Sequence, residues 1–126
     1  MLIMEQAMTK VNYLKHQKEI ISFEAGQTVF KEGDSGDFMY GVIEGEVEIS
    51  HKGHVLDVVG EGGVVGEMAL VGDHTRSATV TAKTDCKLAP VNHQHFLWLV
   101  HETPTFATQV MAVMAERIRH LHDMLD

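Results

Sequence analysis

Near the start of the chain the apolar residues Ile3, Ala7, Val11 and Leu14 recur at helical spacing with charged and polar residues between them, which predicts a helix from Leu2 to about Lys18. Its expected place is against one side of the structure that follows. From Ile20 the period falls to two and glycine turns punctuate the chain. Phe23, the turn near Gly26, Val29 and Phe30, the Gly33-Asp34-Ser35-Gly36 turn and the run from Phe38 to Ile43 read as the first strands. Glu46 to Ser50 alternates, placing Val47 and Ile49 inward, and after the His51-Lys52-Gly53 turn His54 to Val59 forms the next strand. Ser77 to Ala82 and Cys86 to Val91 complete the set. Short, regularly spaced strands over residues 20–91 predict a mainly β fold with flanking helices (α+β), built as a double-sheet jelly roll (double-stranded β-helix) or a barrel.

Beyond Asn92 the pattern turns helical. Asn92 is placed to cap Phe96 to Val100, and Thr103-Pro104 opens a second helix, with a hydroxyl at the cap and proline in the first turn. That helix is expected from about Pro104 to Leu125. Phe106, Val110, Met111, Val113 and Met114 give its first half a wide apolar arc, and Met111, Met114, Ile118, Leu121 and Leu125 narrow to a stripe in the second. A stripe of this spacing serves either an intramolecular core or a seam between two helices, and the seam would pair two copies of the chain.

Between the strands, Gly60 to Ala82 reads GEGGVVGEMALVGDHTRSATVTA. Gly62, Gly63 and Gly66 permit turns and close approaches that side chains would block. Glu67 to Val71 has the make-up of one or two helical turns, whose first N–H groups favour an anion in front of them. Arg76 shares a face with Ala78 and Val80 and so points inward, where an unpaired cation is costly. Two partners suit it. Glu67 would satisfy it in an internal ion pair, whereas a bound phosphodiester would be clasped by the guanidinium fork and the helix start together. In the second case Glu67 needs another task, and accepting from a sugar hydroxyl is the natural one.

The chain has 126 residues, enough for one domain with one core, and its 44% hydrophobic and 22% charged content is that of a folded globular protein. A net charge of -8, with Arg76, Arg117 and Arg119 as the arginines, argues against nucleic acid or an anionic membrane as partner, since both reward clustered basic charge. A small anion is still admissible, because local donors decide its binding. One cysteine, Cys86, excludes an internal disulfide, fits a reducing compartment, and sits inward in its strand as a structural thiol. No apolar run approaches the ~20 residues that span a bilayer. The opening MLIMEQAMTK lacks the basic-then-apolar order of a secretion signal, so the cytoplasm is the expected location.

On these residues the chain resembles the cyclic nucleotide-binding domain family, of the catabolite activator and protein kinase A regulatory subunit type. VGEMAL followed by TRSATV is similar to that family's phosphate-binding cassette, and Phe23, Gly26, Val29, Gly33-Asp34, Gly36-Asp37, Met39-Tyr40, Val42, Gly45 and Val47 follow the order of its first strands. The resemblance covers roughly Ile20 to Leu125. Val65 stands where Phe is commoner and keeps the position apolar. The resemblance implies that Glu67 accepts from the ribose 2′-hydroxyl, that Arg76 binds the phosphate, and that the amides of Gly66, Glu67, Met68 and Ala69 line the cassette. Ser77 takes the place that contacts phosphate or base. It also implies that the last helix lies over the base as a lid and in some members pairs two subunits. The hydroxyls that bacterial activators use to read adenine fall on Leu121 and His122 and are absent. Arg117, Arg119, His120 and Leu121 are then the candidate lid and base contacts, although Arg117, Arg119 and His120 taken singly read as solvated surface. Both cAMP and cGMP stay open, with a slight lean to cAMP.

Other chemistries have less to support them. Nine histidines invite a metal site, but His93 and His95 fall at a helix start, His51 and His54 flank a turn, and His120 and His122 cannot face the same way on a helix. No nucleophile-and-base set is apparent, so neither a metal, a cofactor nor catalysis is expected. The reading is a stand-alone sensor domain for cAMP or cGMP, signalling through a homodimer or a separate effector protein. The alternatives are an interaction scaffold whose vestigial pocket is held by a Glu67–Arg76 pair, or the sensor fragment of a Crp/Fnr-type transcription regulator.

Overall fold

The computed structural model describes residues 19–67 and 74–125. The expected helix at 2–18 and most of the cassette turn, including Met68 and Ala69, lie outside them. Eight strands come in chain order: β1 (Ile21–Phe23), β2 (Thr28–Phe30), β3 (Phe38–Glu44), β4 (Val47–His51), β5 (His54–Val59), β6 (Val64–Val65), β7 (Thr79–Ala82) and β8 (Cys86–Asn92). Helices α1 (His93–Glu102) and α2 (Pro104–Leu125) follow. The strands form two four-stranded sheets, ordered β1-β8-β3-β6 and β2-β7-β4-β5, with every pairing antiparallel. This is the expected jelly roll.

Two differences from the sequence reading matter for the site. The strand expected from Ser77 starts at Thr79, because residues 74–76 are held by the 33–36 turn instead: Gly36 N–H donates to His74 O (2.6 Å), Arg76 N–H to Asp34 O (2.7 Å) and Gly33 N–H to Arg76 O (2.8 Å). The glycine-rich approach also contains β6, a two-residue strand paired with Tyr40 and Gly41 of β3. Alternation sends its side chains to opposite faces of the sheet. Val65 joins the core between the sheets with Val42, Val47, Ile49, Val80 and Leu88, while Val64 joins Met39 and Val91 beneath the helices.

The helices begin where the caps require. Asn92 Oδ1 accepts from His95 N–H at 2.7 Å, starting α1 three residues earlier than the apolar run alone suggests. Phe96 and Leu99 of α1 meet Phe106, Val110 and Val113 of α2, with Phe96 and Phe106 edge to face at 5.6 Å. The apolar stripe of α2 divides. Its first half is core, but Met111 and Ile118 are 59% and 61% exposed, so an intramolecular core does not account for them. Cys86 is buried as expected, and burial, with Asp85 nearby, pushes its thiol pKa up.

Candidate functional site

A cavity of about 300 Å³ opens between the β2-β7-β4-β5 sheet and α2. Phe30, Ile49, Leu56, Ala78 and Val80 supply its apolar wall, Gly66, Glu67, Arg76 and Ser77 one polar region, and Met114, Arg117, Ile118 and His120 the α2 side. Its volume is at the lower end of the range for small-ligand sites.

Arg76 is 5% exposed. Its Nη2 donates to Phe38 O at 2.7 Å and its Nη1 to Gly66 O at 3.3 Å, while Nε has no acceptor among the described residues. The guanidinium lies over the Phe30 ring, with Cζ 3.8 Å from its centroid. Among the described residues no carboxylate comes within ion-pair distance of it. Burial lowers the Arg76 pKa, an effect offset by Tyr40, Asp37, Asp34 and Glu67, and an arginine in such a place stays charged. The same burial raises the Tyr40 pKa, and Arg76 opposes that rise. Among the described residues the buried guanidinium is thus held by two carbonyl oxygens and an aromatic ring, with acidic groups acting on it from farther away.

Two glycines let the arginine sit there. Gly66 has φ +78° and a Cβ on it would lie 2.6 Å from Arg76 Nη1, so both conformation and space call for glycine. Gly36 has no such φ, but its Cβ would overlap Nε, Cζ and Cδ of Arg76. Sequence reasoning placed Gly36 in a turn and missed this seat, since only the pairing of 33–36 with 74–76 reveals it. Gly36→Ala is therefore expected to fold, displace the guanidinium, and weaken anion binding by about 10-fold. Unchanged affinity in titration calorimetry would show that the seat is unimportant.

Glu67 is 1% exposed and has helical backbone. The ion pair weighed from sequence, Glu67 with Arg76, is not formed. Glu67 Oε1 instead accepts a short bond from Arg117 Nη1, and Arg117 Nη2 donates to Val64 O. Arg117 is thus no solvated surface residue: its side chain is 18% exposed and ties α2 to the start of the cassette. Arg119 is exposed and does not line the cavity. His120 is half exposed at the cavity edge, its Nδ1 3.6 Å from Asp57 Oδ2. The side chain of Leu121 lies outside the described set. Among the described residues no three metal-ligating side chains converge, and no helix is long and apolar enough to cross a membrane.

Two antiparallel sheets and a C-terminal helix enclose a cavity lined by a buried arginine and a buried acid, the frame of a small-ligand binding domain. The family model for the cyclic nucleotide-binding domain matches residues 20–103, and the chain belongs to that family. Aligned with lysophospholipase nte1 of Aspergillus fumigatus, it is 35% identical over 108 residues, which is 82% of this chain and 7% of that protein. The catabolite activator protein of Thermus thermophilus superposes with a TM-score of 0.77 at 29% identity, over 92% of this chain and 57% of that one. The cGMP-bound form of the EAL enzyme Bd1971 gives a TM-score of 0.64 at 34% identity, over 84% of this chain and 30% of that one. The chain therefore spans only part of each of these relatives.

Proposed function

We propose that this chain is a sensor module that binds cAMP or cGMP in the cavity beneath α2. The observation that carries the reading is Arg76, a buried guanidinium whose Nε is unbonded and which pairs with no carboxylate among the described residues, at the wall of a cavity that Glu67 also lines. A cyclic phosphodiester supplies the missing charge, held by the Arg76 fork and by the backbone amides from Gly66 to Ala69. Glu67 accepts from the ribose 2′-hydroxyl, and Ser77 stands beside the phosphate. The module binds and does not catalyse.

Signalling follows from α2. A ligand that contacts both sheet and lid favours the closed arrangement, and inverting a two-state equilibrium from mostly open to mostly closed takes about 5.5 kcal/mol of differential affinity. Charge-assisted bonds at about 1.5–3 kcal/mol each are enough to supply it. Met111 on α2 is exposed and, unlike Ile118, does not line the cavity, which supports a homodimer built on that helix. The scaffold alternative loses its stated support, since the pocket is not held shut by Glu67 and Arg76. A role as the sensor segment of a transcription regulator, or of some other effector system, is the same reading at the level of the binding site.

Thermal melting with each nucleotide tests the proposal. A saturable rise is expected, equivalent to about 2.7 kcal/mol when ligand reaches a hundred times its Kd. No shift at millimolar cAMP or cGMP would remove it. Gel filtration of the same samples tests the dimer, which a monomer at all concentrations would exclude.

A further inference from the structure

The cavity has a second polar region away from Arg76, and one residue there is out of keeping with its neighbours. In the sheet register Val80 of β7 pairs with Ile49 of β4, and Ile49 pairs with Asp57 of β5. Directly opposed residues of antiparallel strands share a face, so the three stand in one row toward the cavity, and all three line it. Two are apolar and the third is a carboxylate. Its Oδ1 accepts from the N–H of Val58 at 2.9 Å. Its Oδ2 meets His120 Nδ1 only at 3.6 Å, too long for a hydrogen bond, and the side chain is 27% exposed. The pairs Val47–Val59 and Ile49–Asp57 belong to one regular register, so alternation back from buried Val59 turns Asp57 inward; the bulge lies beyond it, at Leu56.

Two strand spacings, about 10 Å, separate the β7 row from β5. A cyclic nucleotide whose phosphate sits at Arg76 has its base at the other end of such a span, among Leu56, Ile118, Asp57 and His120. We propose that Asp57 selects the purine and that it selects guanine. The assignment rests on the cyclic nucleotide reading above. Guanine presents N1–H and the N2 amino group side by side, two donors that match the two lone-pair directions of one carboxylate. Adenine places the N1 lone pair beside its N6 amino group, so a carboxylate there gains one bond and meets one repulsion. His120 stands over Asp57 from α2 and couples the base to the lid. The outcome runs against the slight lean to adenine in the sequence.

Titration calorimetry of the chain with cGMP and with cAMP tests the assignment, using the unmodified protein, Asp57→Asn and Asp57→Ala. The unmodified protein is expected to favour cGMP by about 10-fold or more. Asp57→Asn substitutes an acceptor-and-donor pair that suits adenine, and should move the cGMP-to-cAMP ratio toward cAMP by about 10-fold. Asp57→Ala should narrow the ratio without reversing it. If Asp57 serves only to hold the lid through His120, both nucleotides weaken by the same factor, and that result overturns the assignment, as does an unmodified protein that prefers cAMP. Binding with an unmoved ratio refutes only the role of Asp57, whereas an unmodified protein that binds neither nucleotide refutes the sensor reading with it. Melting curves of both variants establish that they fold.

Discussion

Replacing Arg76 by alanine is expected to lower affinity for the preferred cyclic nucleotide by at least ~100-fold while leaving the domain folded. Each charge-assisted bond from the guanidinium to phosphate is worth about 1.5–3 kcal/mol, and two such bonds exceed the ~2.7 kcal/mol that a 100-fold change represents. The effect on stability is smaller because its parts oppose. Alanine leaves Phe38 O and Gly66 O without their donor and removes the contact with Phe30, at about 1 kcal/mol each. It also removes a buried cation that has no counter-ion among the described residues, which returns part of that loss. Arg76→Lys keeps the charge but not the planar fork, so an intermediate loss is expected. Titration calorimetry reads the first effect and melting the second; an Arg76→Ala protein that binds as tightly as the parent would end the assignment of the phosphate site.

Arg117→Ala acts the other way, on stability first. Glu67 is 1% exposed and Arg117 is its ion-pair partner, so removing the arginine strands a buried carboxylate. Breaking a pair of this kind costs about 3 kcal/mol, or about 10 °C in melting temperature for a domain of this size. Adding Glu67→Gln to the Arg117→Ala protein removes the stranded charge and should recover much of the loss, which makes the pair suitable for a double-mutant cycle. Melting of Arg117→Ala at the parent temperature would show that the contact contributes little. The magnitude bears on function because the same pair joins the lid helix to the acid proposed to hold the sugar.

The parts of the fold governed by local chemistry were legible from the chain. Alternation across Glu46 to Ser50 put Val47 and Ile49 inward, Asn92 was identified as a cap, and Thr103-Pro104 marked the start of α2. The inward arginine followed from its neighbours Ala78 and Val80. What sequence did not show depends on segments brought together from afar. Arg117 finds Glu67 across 50 positions, and its residue type alone gave no reason to take it off the surface. Strand β6 is two residues long, too short for a period to register, and the surrounding glycines disguise it. Gly36 seats Arg76 only because the turn at 33–36 pairs with 74–76. The setting of Asp57 depends on β4 lying between β5 and β7 and on α2 bringing His120 to it.

The pairing of β1 with β8 sets an order of events during folding. Ile21 lies against Leu88, so the outer sheet cannot close until residues nearly seventy positions apart have met. Closing a loop of that length costs conformational entropy before any contact rewards it, and folds dominated by such distant pairings form on the millisecond-to-second scale. The sheet that walls the cavity has the same character, since Thr28 of β2 pairs with Thr81 of β7. A nascent chain on the ribosome would have to emerge past β8 before both sheets could be complete, and past Arg117 before α2 could be tied to Glu67.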